Sequence, residues 1–454
     1  MRKKVIKIGV GVILGLIVVL LLIYRLVNVA PSAELSANEQ AIAILKSGDC
    51  AACHVQNPDL PFYASLPVIG DVVKKDAYEG VRKIDLAPVI TALEKGQPVD
   101  IVSLNKLEQS FTNGTMPLAK YYLVHWGTQI NSTEREMMLN WVKEERAAHH
   151  SNGLAAEEFA NEPVQPLPSV IETAPAKVTL GRMLYNDTRL SKDNTISCAS
   201  CHALTKGGCD NKSFSEGVNG QLGGVNAPTV FNAYFNFVQF WDGRAADLAE
   251  QAAGPPLNPV EMACESFDEI IAKLQADKRF AAQFTKVYPD GITEQNICNA
   301  IQEYEKTLLT PNAPFDRYLT GDKEALTADQ IAGYELFKKH ECATCHAGTI
   351  LGGQSYEYMG LKEDYFAARG TELTEEDYGR GKQEESAYYD HRFKTPGLRN
   401  VALTAPYFHD ATQATLADAV TAMMTYQVGL TLTEEETRQM VAFLESLTGE
   451  MPAE

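Results

Sequence analysis

One short pattern, Cys-x-x-Cys-His, occurs three times and constrains this chain more than any other feature. The copies lie at Cys50–His54, Cys198–His202 and Cys342–His346. This spacing is the attachment signature of c-type haem, in which two thioether bonds hold the porphyrin and the histidine binds the iron. A zinc site would need a second half-site at matching spacing, which the sequence lacks. The chain is therefore predicted to carry three covalent haems, held by Cys50, Cys53, Cys198, Cys201, Cys342 and Cys345, with His54, His202 and His346 as iron ligands.

Each copy follows a segment whose apolar residues recur at helical spacing, beginning near Asn38, Leu180 and Thr327. Two capping boxes, Thr133–Glu136 and Thr433–Glu436, predict closing helices after the first and third copies. Long strand-like alternations are scarce. The repeated unit is a helix, an attachment loop, an irregular wrap and a closing helix. The predicted fold class is mainly α, with three cytochrome c-like haem domains.

The N-terminus joins a basic cluster to an apolar run. Four basic residues, Arg2, Lys3, Lys4 and Lys7, precede an apolar segment from Ile8 to Tyr24. An uncleaved, single-pass transmembrane helix is preferred over a cleaved signal peptide, because no Ala-x-Ala site follows and Ala30 precedes a proline. The basic cluster is expected to stay in the cytoplasm. The helix is thus predicted to anchor the chain in the inner membrane, with the haem domains in the periplasm.

The 454 residues are predicted to form several domains. The predicted segments are 1–30 (cytoplasmic tip and anchor), 31–146 (N-terminal mono-haem domain), 147–177 (linker), 178–324 (second haem domain) and 325–454 (third haem domain). The linker is rich in Ala, Glu and Pro. No comparable linker separates the last two domains, which are expected to pack as one body. The formal net charge of -19 argues against nucleic acid as a partner.

Three cysteines, Cys209, Cys264 and Cys298, lie outside the attachment motifs. An oxidising compartment permits a disulfide between two of them, with the third as a buried thiol. Spacing alone does not determine which two pair. Cys264 with Cys298 is the pair expected here.

The sixth iron ligand decides what each haem does, since an open face can bind a small molecule and a closed one transfers electrons. Met116, followed by Pro117, is the preferred sixth ligand of the first haem, and His125 is its competitor. Met423 or Met424 is available to the third haem, although paired methionines usually pack in cores. Residues 203–229, after the second motif, contain no His or Met. The second haem is therefore predicted to be open and reactive.

Polar residues downstream of the second motif suit peroxide chemistry. The segments Phe240–Arg244, Glu250–Gln251 and Asn258–Met262 supply carboxylates and an amide. A carboxylate beside an open haem can take a proton from a bound peroxide and return it to the leaving oxygen. An amide can orient the peroxide. Without an open haem nearby, both would be interpreted as ordinary surface residues.

From about residue 178 to residue 448, these motifs resemble the bacterial di-haem cytochrome c peroxidase family. The resemblance rests on the second and third attachment loops together with Asn226–Asn232, Gln239–Arg244, Glu250–Gln251, Asn258–Met262 and Leu398–His409. The additional N-terminal haem domain and the anchor resemble a three-haem, membrane-bound subgroup that includes quinol peroxidases.

The resemblance implies a role for each matching residue. It makes 178–324 the peroxidatic domain, with His202 as proximal ligand, and 325–454 the electron-transfer domain. His346 and Met423 would be the axial ligands of the third haem. Glu261 would act in acid/base catalysis, Gln251 would orient the peroxide, and Trp241 would carry electrons between the haems. Calcium would be bound by Asn226, Thr404 and Pro406.

One position departs from the family pattern. Many members carry a distal histidine that must leave the peroxidatic haem on reductive activation, and the matching residue here is Val218. Valine cannot bind iron. The haem is therefore expected to be open as isolated, with little need for activation.

The leading interpretation is a peroxidase that reduces hydrogen peroxide to water, with electrons entering at the first haem. The anchor favours membrane quinol as the donor, and soluble cytochrome c is the alternative. A second interpretation is a non-catalytic tri-haem relay, which would leave Glu261 and Gln251 unexplained. A cofactor-maturation oxidase of the same superfamily is disfavoured, because that relative has a tyrosine where this chain has Met423.

Overall fold

The computed structural model describes residues 2–123 and 125–452, and the chain is mainly helical. It divides into two compact units, Met1–His150 and Ser151–Glu454. The N-terminal unit contains α1 (Arg2–Val27), α2 (Ala37–Ser47), α3 (Ile69–Lys83), α4 (Ala87–Lys95), α5 (Ile101–Asn113) and α6 (Ser132–His149). The C-terminal unit contains α7 (Pro175–Tyr185), α8 (Cys198–Cys201), α9 (Leu248–Leu257), α10 (Phe267–Ala276), α11 (Lys278–Val287), α12 (Glu294–Glu305), α13 (Pro314–Leu319), α14 (Ala328–Lys339), α15 (Cys342–Cys345), α16 (Tyr365–Arg369), α17 (Leu416–Met423) and α18 (Glu434–Glu445).

The apolar N-terminal run forms helix α1, which continues three residues past Tyr24 to Val27. Its segment Val10–Val27 is long and apolar enough to cross a membrane, and none of it is buried by the protein. A signal sequence has the same length and composition, so this helix is a membrane span or a signal sequence. The side chains of the basic cluster at residues 2–7 lie outside the described part of the structure.

The core of the N-terminal unit lies between α2, α4, α5 and α6. Leu104 and Trp141 are buried there, and the Trp141 indole donates to Asn38 Oδ1 at 2.8 Å. The predicted closing helix is present, but its expected capping box at Thr133–Glu136 is wrong. The N-cap is Asn131, whose side chain accepts from the backbone of Glu134 while Glu134 caps Asn131 in return. Asn is as strong an N-cap as Thr, so the helix begins earlier.

In the C-terminal unit two helix pairs repeat this design. Helices α7 and α12 cross over one core, and α14 and α18 cross over another. A Cβ at Gly181 would lie 1.8 Å from the Ala300 carbonyl oxygen, and one at Gly333 would lie 2.0 Å from that of Gln439. Only glycine permits such close helix crossings. The predicted capping box Thr433–Glu436 is confirmed at the start of α18.

Part of the segment 147–177, expected to be a linker, packs on the C-terminal unit. The amide of Ala156 donates to the Leu319 carbonyl at 2.9 Å, and that of Leu167 donates to Asp316 at 3.0 Å. Val164 is fully buried. Apolar residues between the prolines are buried against the C-terminal unit, and the overall composition of the segment does not indicate this.

The β-structure is confined to one short antiparallel pair, β1 (Tyr356–Tyr358) and β2 (Arg392–Lys394), within the described residues. The register pairs Glu357 with Phe393. The amide of Lys394 also donates to the Trp241 carbonyl at 2.8 Å. This small sheet therefore positions the backbone on either side of Trp241.

Candidate haem and peroxide site

The attachment loops follow α2, α7 and α14, as the sequence predicts. In each loop the histidine amide donates to the carbonyl of the first cysteine, at 3.1 Å for His54 and 3.0 Å for His202 and His346. The backbone of each motif therefore forms the same tight turn. The same short geometry at all three motifs suits covalent attachment of a planar macrocycle.

The proximal histidines are held in a tautomer that suits iron. Nδ1 of His54 lies 3.0 Å from the Gly80 carbonyl oxygen, and Nδ1 of His346 lies 3.1 Å from that of Leu351. Donation from Nδ1 leaves the Nε2 lone pair available to a metal. Burial lowers the pKa of both imidazoles, which favours the neutral form that binds iron.

His202 differs from the other two. Its Nδ1 is buried and has no well-aligned hydrogen-bond partner among the described residues, although the Gly208 and Pro228 carbonyls lie near it. Its backbone carbonyl accepts from the Tyr185 hydroxyl at 2.6 Å. Burial also lowers the pKa of His202. His202 is therefore a neutral, buried imidazole. This suits an iron ligand whose Nδ1 hydrogen-bonds to a nearby backbone carbonyl.

The loop that carries Val218 packs directly against Glu261. The amide of Val218 donates to the Glu261 backbone carbonyl at 2.8 Å, and the valine side chain is buried. An apolar side chain therefore lies beside Glu261, at the position expected from the family resemblance to match a distal ligand. The described loop 203–229 contains no His or Met side chain to bind iron.

Glu261 lies in the turn that follows α9. Asn258 Nδ2 donates to Glu261 Oε1 at 2.7 Å, which orients the carboxyl group. Burial raises the pKa of Glu261, against the lowering effects of Arg244 and Asn258. Arg244 itself stacks on Phe240, 3.4 Å from the ring centre. A raised pKa makes the carboxylate a stronger base, which suits a group that accepts a proton and then donates it.

Gln251 lies on α9, one turn after the N-cap Asp247. Its backbone is fixed by a 3.0 Å bond from its amide to the Asp247 carbonyl. The segment after α9 folds back on it, since the Met262 amide reaches the Pro255 carbonyl at 3.3 Å. The structure thus brings the Gln251 helix and the Glu261 turn together.

Trp241 connects the two halves of the C-terminal unit. Its Nε1 donates to the Asn226 carbonyl at 2.9 Å, and its ring lies edge-on to His409 with centroids 6.4 Å apart. It also packs against a hydrophobic cluster that contains Phe366, and Met423 packs against the same cluster. The indole therefore runs from the Asn226 segment towards the candidate ligand of the third haem.

The two adjacent methionines are separated by the fold. Met423 ends α17 and packs against the cluster of Trp241, whereas Met424 is buried in the core with Phe443. A π-helical turn, Met424–Val428, follows. Such turns are frequent at functional sites. This geometry favours Met423 over Met424 as an iron ligand.

In the N-terminal unit, Met116 is half-buried in a short loop after α5. Its competitor His125 is already engaged, since its Nε2 lies 2.6 Å from the Tyr63 hydroxyl. The His125 ring also stacks on Tyr121 with centroids 3.9 Å apart. The thioether of Met116 is therefore easier to recruit for iron than the His125 imidazole.

The three residues expected to bind calcium come from segments that lie together. The Asn226 amide donates to the His409 carbonyl at 2.8 Å, and Asn211 Nδ2 donates to the Leu403 carbonyl at 2.8 Å. These bonds hold Asn226 beside the segment that carries Thr404 and Pro406. An amide oxygen and backbone carbonyls are the hard oxygen ligands that calcium prefers.

The expected disulfide between Cys264 and Cys298 is absent, because neither thiol is bonded to another cysteine. Both residues lie in one core cluster, but the Cys264 thiol points to the Leu190 carbonyl at 3.3 Å. The third thiol, Cys209, contacts the Lys206 carbonyl at 3.3 Å. These buried thiols are satisfied by local carbonyls, so packing does not require a bond between them.

Sequence reasoning missed a buried charge network beside Trp241. Asp377 accepts from Arg369 at 2.7 Å and lies 2.8 Å from His409 Nε2, and Arg369 also bonds Asp410 at 2.9 Å. These contacts lower the pKa of Asp377 against the effect of its burial. His409 belongs to a recognised motif, but nothing in the sequence around Asp377 connects it with that motif.

Comparisons with known proteins agree with this geometry. The di-haem cytochrome c peroxidase family matches residues 175–324, and a haem-binding domain matches residues 19–144. Cytochrome c peroxidase Ccp of Escherichia coli is 47% identical over 418 residues, which cover 92% of this chain and 89% of that protein. Cytochrome c551 peroxidase of Nitrosomonas europaea is 45% identical and covers 64% of this chain and 86% of its own length.

A solved structure supports the same fold. A MauG-like protein associated with microbial copper homeostasis is 26% identical, with a TM-score of 0.55 over 63% of this chain and 93% of its own. The likeness to the E. coli protein extends over both units and at high identity. The chain therefore belongs to the di-haem cytochrome c peroxidase family and is a haem-containing peroxidase.

Proposed function

We propose that this chain reduces hydrogen peroxide at an open second haem with electrons from membrane quinol, which pass through a first and then a third covalent haem. Membership of the peroxidase family supports the chemistry. The quinol donor is supported by one observation: a haem-binding domain directly follows the apolar helix α1 in the same chain. A reducing agent dissolved in the bilayer would reach that domain first.

The protein's own residues prepare peroxide for cleavage at the second site. When bound there, haem supplies an iron that takes up peroxide and delivers electrons to it. Glu261, oriented by Asn258, removes the proton from the near oxygen and returns it to the departing one. Gln251 orients the peroxide. Val218 cannot bind iron, so it leaves the sixth coordination position of the second haem free for peroxide. Two electrons and two protons convert one hydrogen peroxide into two waters.

The remaining residues serve electron delivery. His346 and Met423 would hold the third haem, and His54 and Met116 would hold the first. Trp241 would provide an aromatic path towards the second haem, since it bonds to the Asn226 carbonyl and packs against the same cluster as Met423.

Calcium, bound by Asn226, Thr404 and Pro406, would restrict the motion of the residues around Trp241. Treating the holoenzyme with a calcium chelator should then slow electron delivery to the second haem, and adding calcium back should restore it. Magnesium added at the same concentration is the control. A rate unaffected by chelation, in protein shown to be free of calcium, would refute the calcium role.

The donor is tested with the detergent-solubilised full-length protein. Peroxide consumption is followed with a reduced ubiquinol or menaquinol analogue as sole donor, beside reduced soluble cytochrome c. A variant with both Cys50→Ser and Cys53→Ser should lack the first haem and lose quinol-driven turnover. No quinol-driven turnover in the wild type would refute the quinol proposal.

Soluble cytochrome c is the second candidate donor. The relatives in N. europaea and Pseudomonas aeruginosa are named cytochrome c551 peroxidases. Fast turnover with cytochrome c alone would retain the peroxidase chemistry and make α1 a simple tether. No turnover with either donor would favour a tri-haem electron relay.

A further inference from the structure

Two hydrogen-bonded pairs lie beside the first attachment loop. The Tyr63 hydroxyl and His125 Nε2 share a hydrogen bond of 2.6 Å, and the Tyr121 hydroxyl donates to Asp49 Oδ2 at 2.7 Å. The His125 ring stacks on Tyr121, with centroids 3.9 Å apart and planes within 1° of parallel. These four residues form one group, called here the tyrosine cluster.

The tyrosine cluster adjoins the place where the first haem would attach. Asp49 directly precedes Cys50 and adopts a left-handed backbone conformation with φ of 52°. Burial raises the pKa of Tyr63 and Tyr121, and the nearby Asp49 and Cys53 raise it further. Both phenols therefore stay protonated, each with a proton acceptor in contact.

The same cluster is connected to the end of the apolar helix. Asn28, just after α1, donates from Nδ2 to the Trp126 carbonyl at 2.9 Å, and Trp126 follows His125 in the chain. Trp126 is 48% exposed, which suits a residue at a membrane–water boundary. His125 of the tyrosine cluster is thus the sequence neighbour of Trp126, which bonds to the residue just after α1.

An apolar surface adjoins the tyrosine cluster on the Tyr63 side. Within eleven residues of sequence it exposes Phe62, Leu66, Val68, Ile69 and Val72. Phe62 is 82% exposed and Val68 is 75% exposed, and the Phe62 ring contacts Tyr63 edge-on at 5.6 Å. Scattered exposed apolar residues are ordinary, but a run this dense marks a surface that contacts lipid or an apolar ligand.

We propose that the tyrosine cluster is the quinol oxidation site of this protein. The inference rests on the proposed use of membrane quinol and assigns the site within the chain. A hydroquinone leaving the bilayer beside Trp126 would cross the apolar surface with its ring and isoprenoid tail in apolar contact. Its two hydroxyl groups would then meet Tyr63 and Tyr121.

Quinol oxidation releases two protons and two electrons, and the cluster can accept both protons. One quinol hydroxyl gives its proton to the Tyr63 oxygen while Tyr63 passes its own to His125 Nε2. The other gives its proton to the Tyr121 oxygen while Tyr121 passes its own to Asp49. The O–H bonds break, the ring becomes a quinone, and both electrons pass to the first haem in turn. The two electrons from one quinol equal the two electrons that reduce one hydrogen peroxide.

The proposal also separates the roles of His125 and Met116. If His125 accepts a proton in contact with Tyr63, it does not bind iron, and Met116 remains the axial ligand of the first haem. Replacing His125 would then leave the optical spectrum of that haem unchanged.

The test uses the detergent-solubilised holoenzyme and the variants Tyr63→Phe and Asp49→Asn. Quinol-driven peroxide consumption should fall about tenfold or more in each, because a proton acceptor or relay is lost. Turnover driven by ascorbate with a soluble mediator dye should stay within about twofold of wild type, since the rest of the path is intact. Tyr78→Phe, on the exposed side of α3, is the matched control and should change neither rate.

A binding measurement supplements the rates. A fluorescent hydroxyquinoline N-oxide, which mimics a quinol, is titrated into each protein and its quenching is followed. Tyr63→Phe and a second variant, Phe62→Glu on the apolar surface, should weaken binding about tenfold. Phe62 is exposed enough that the Phe62→Glu variant should fold, and mediator-driven turnover verifies this.

The outcomes distinguish the two proposals. Absence of quinol-driven turnover in the wild type overturns the quinol donor and this site together. Normal quinol-driven turnover and normal analogue binding in Tyr63→Phe, Asp49→Asn and Phe62→Glu overturn this site alone. Loss of both quinol-driven turnover and analogue binding, with mediator-driven turnover retained, supports it.

Discussion

The indole Nε1 of Trp241 donates a 2.9 Å hydrogen bond to the backbone carbonyl of Asn226. Asn226 is a candidate calcium ligand, and Trp241 packs against the same buried cluster as Met423, a candidate iron ligand. One side chain therefore connects the surroundings of two candidate sites. A change at the candidate calcium segment can reach the proposed electron path through this single bond.

Replacing Trp241 by Phe should slow electron transfer into the second haem and lower stability by about 1 kcal/mol, the usual net loss for one hydrogen bond. The Phe ring keeps the aromatic packing but not the donor. Stopped-flow reduction of peroxide-oxidised protein measures the rate, and thermal unfolding measures the stability. An unchanged rate would exclude Trp241 from the electron path.

Replacing Glu261 by Gln should reduce peroxide turnover about 100-fold or more, because Gln cannot accept the proton. In the wild type the carboxylate form is needed to start the reaction, and burial raises the pKa of Glu261 above its ordinary value of 4.5. Turnover should therefore fall as the pH is lowered through that raised pKa. A rate profile shows the acidic limb, and the limb should vanish in Glu261→Gln.

Val218→His tests the open second haem. The imidazole would close the iron position that Val218 leaves free, so the oxidised variant should be low-spin and should show a lag before turnover. Val218→Leu is the matched control and should remain active without delay. Electron paramagnetic resonance of the oxidised wild type should show a high-spin signal. A spectrum with low-spin, bis-ligated haems alone would rule out the open haem.

Met423→Leu should lower the reduction potential of the third haem, because an axial methionine raises it. Met424→Leu should leave the potential unchanged and cost less than about 1.5 kcal/mol of stability, as for other volume-conserving core changes. A spectroelectrochemical titration measures the potential. A shift in Met424→Leu instead would exchange the roles of the two residues.

Glu305 predicts a pH dependence of stability. Its carboxyl group is buried, and burial raises its pKa to about 8. Between its ordinary value of 4.5 and about 8, the folded chain holds a proton that the unfolded chain has lost. Stability should therefore fall as the pH rises through this window, by an amount on the order of a few kcal/mol.

Replacing Glu305 by Gln should remove that slope, because Gln does not titrate. The melting temperature of the holoenzyme, measured from pH 5 to pH 8 in both proteins, checks this. Lys394 is also buried, with a pKa lowered to about 8, so both its folded and unfolded forms are protonated below pH 8 and it adds little slope in this range. Parallel curves for the wild type and Glu305→Gln would refute the assignment.

The sequence by itself determined the local chemistry. The three Cys-x-x-Cys-His motifs predict haem attachment, because thioether and imidazole spacing follows from a few consecutive residues. Helical periodicity and the capping box at Thr433 determined the mainly α fold in the same way. Each of these signals is contained within one turn or one helix, so no distant part of the chain had to be known.

Only the tertiary structure decided relationships between distant residues. It separated Met423 from Met424, placed Asp377 on His409, left Cys264 and Cys298 unbonded, and brought Tyr63 to His125. Each contact depends on how helices cross and loops fold over them. Adjacent residues in a helix point about 100° apart, so packing on either side, rather than sequence, determines which of two neighbours faces a site.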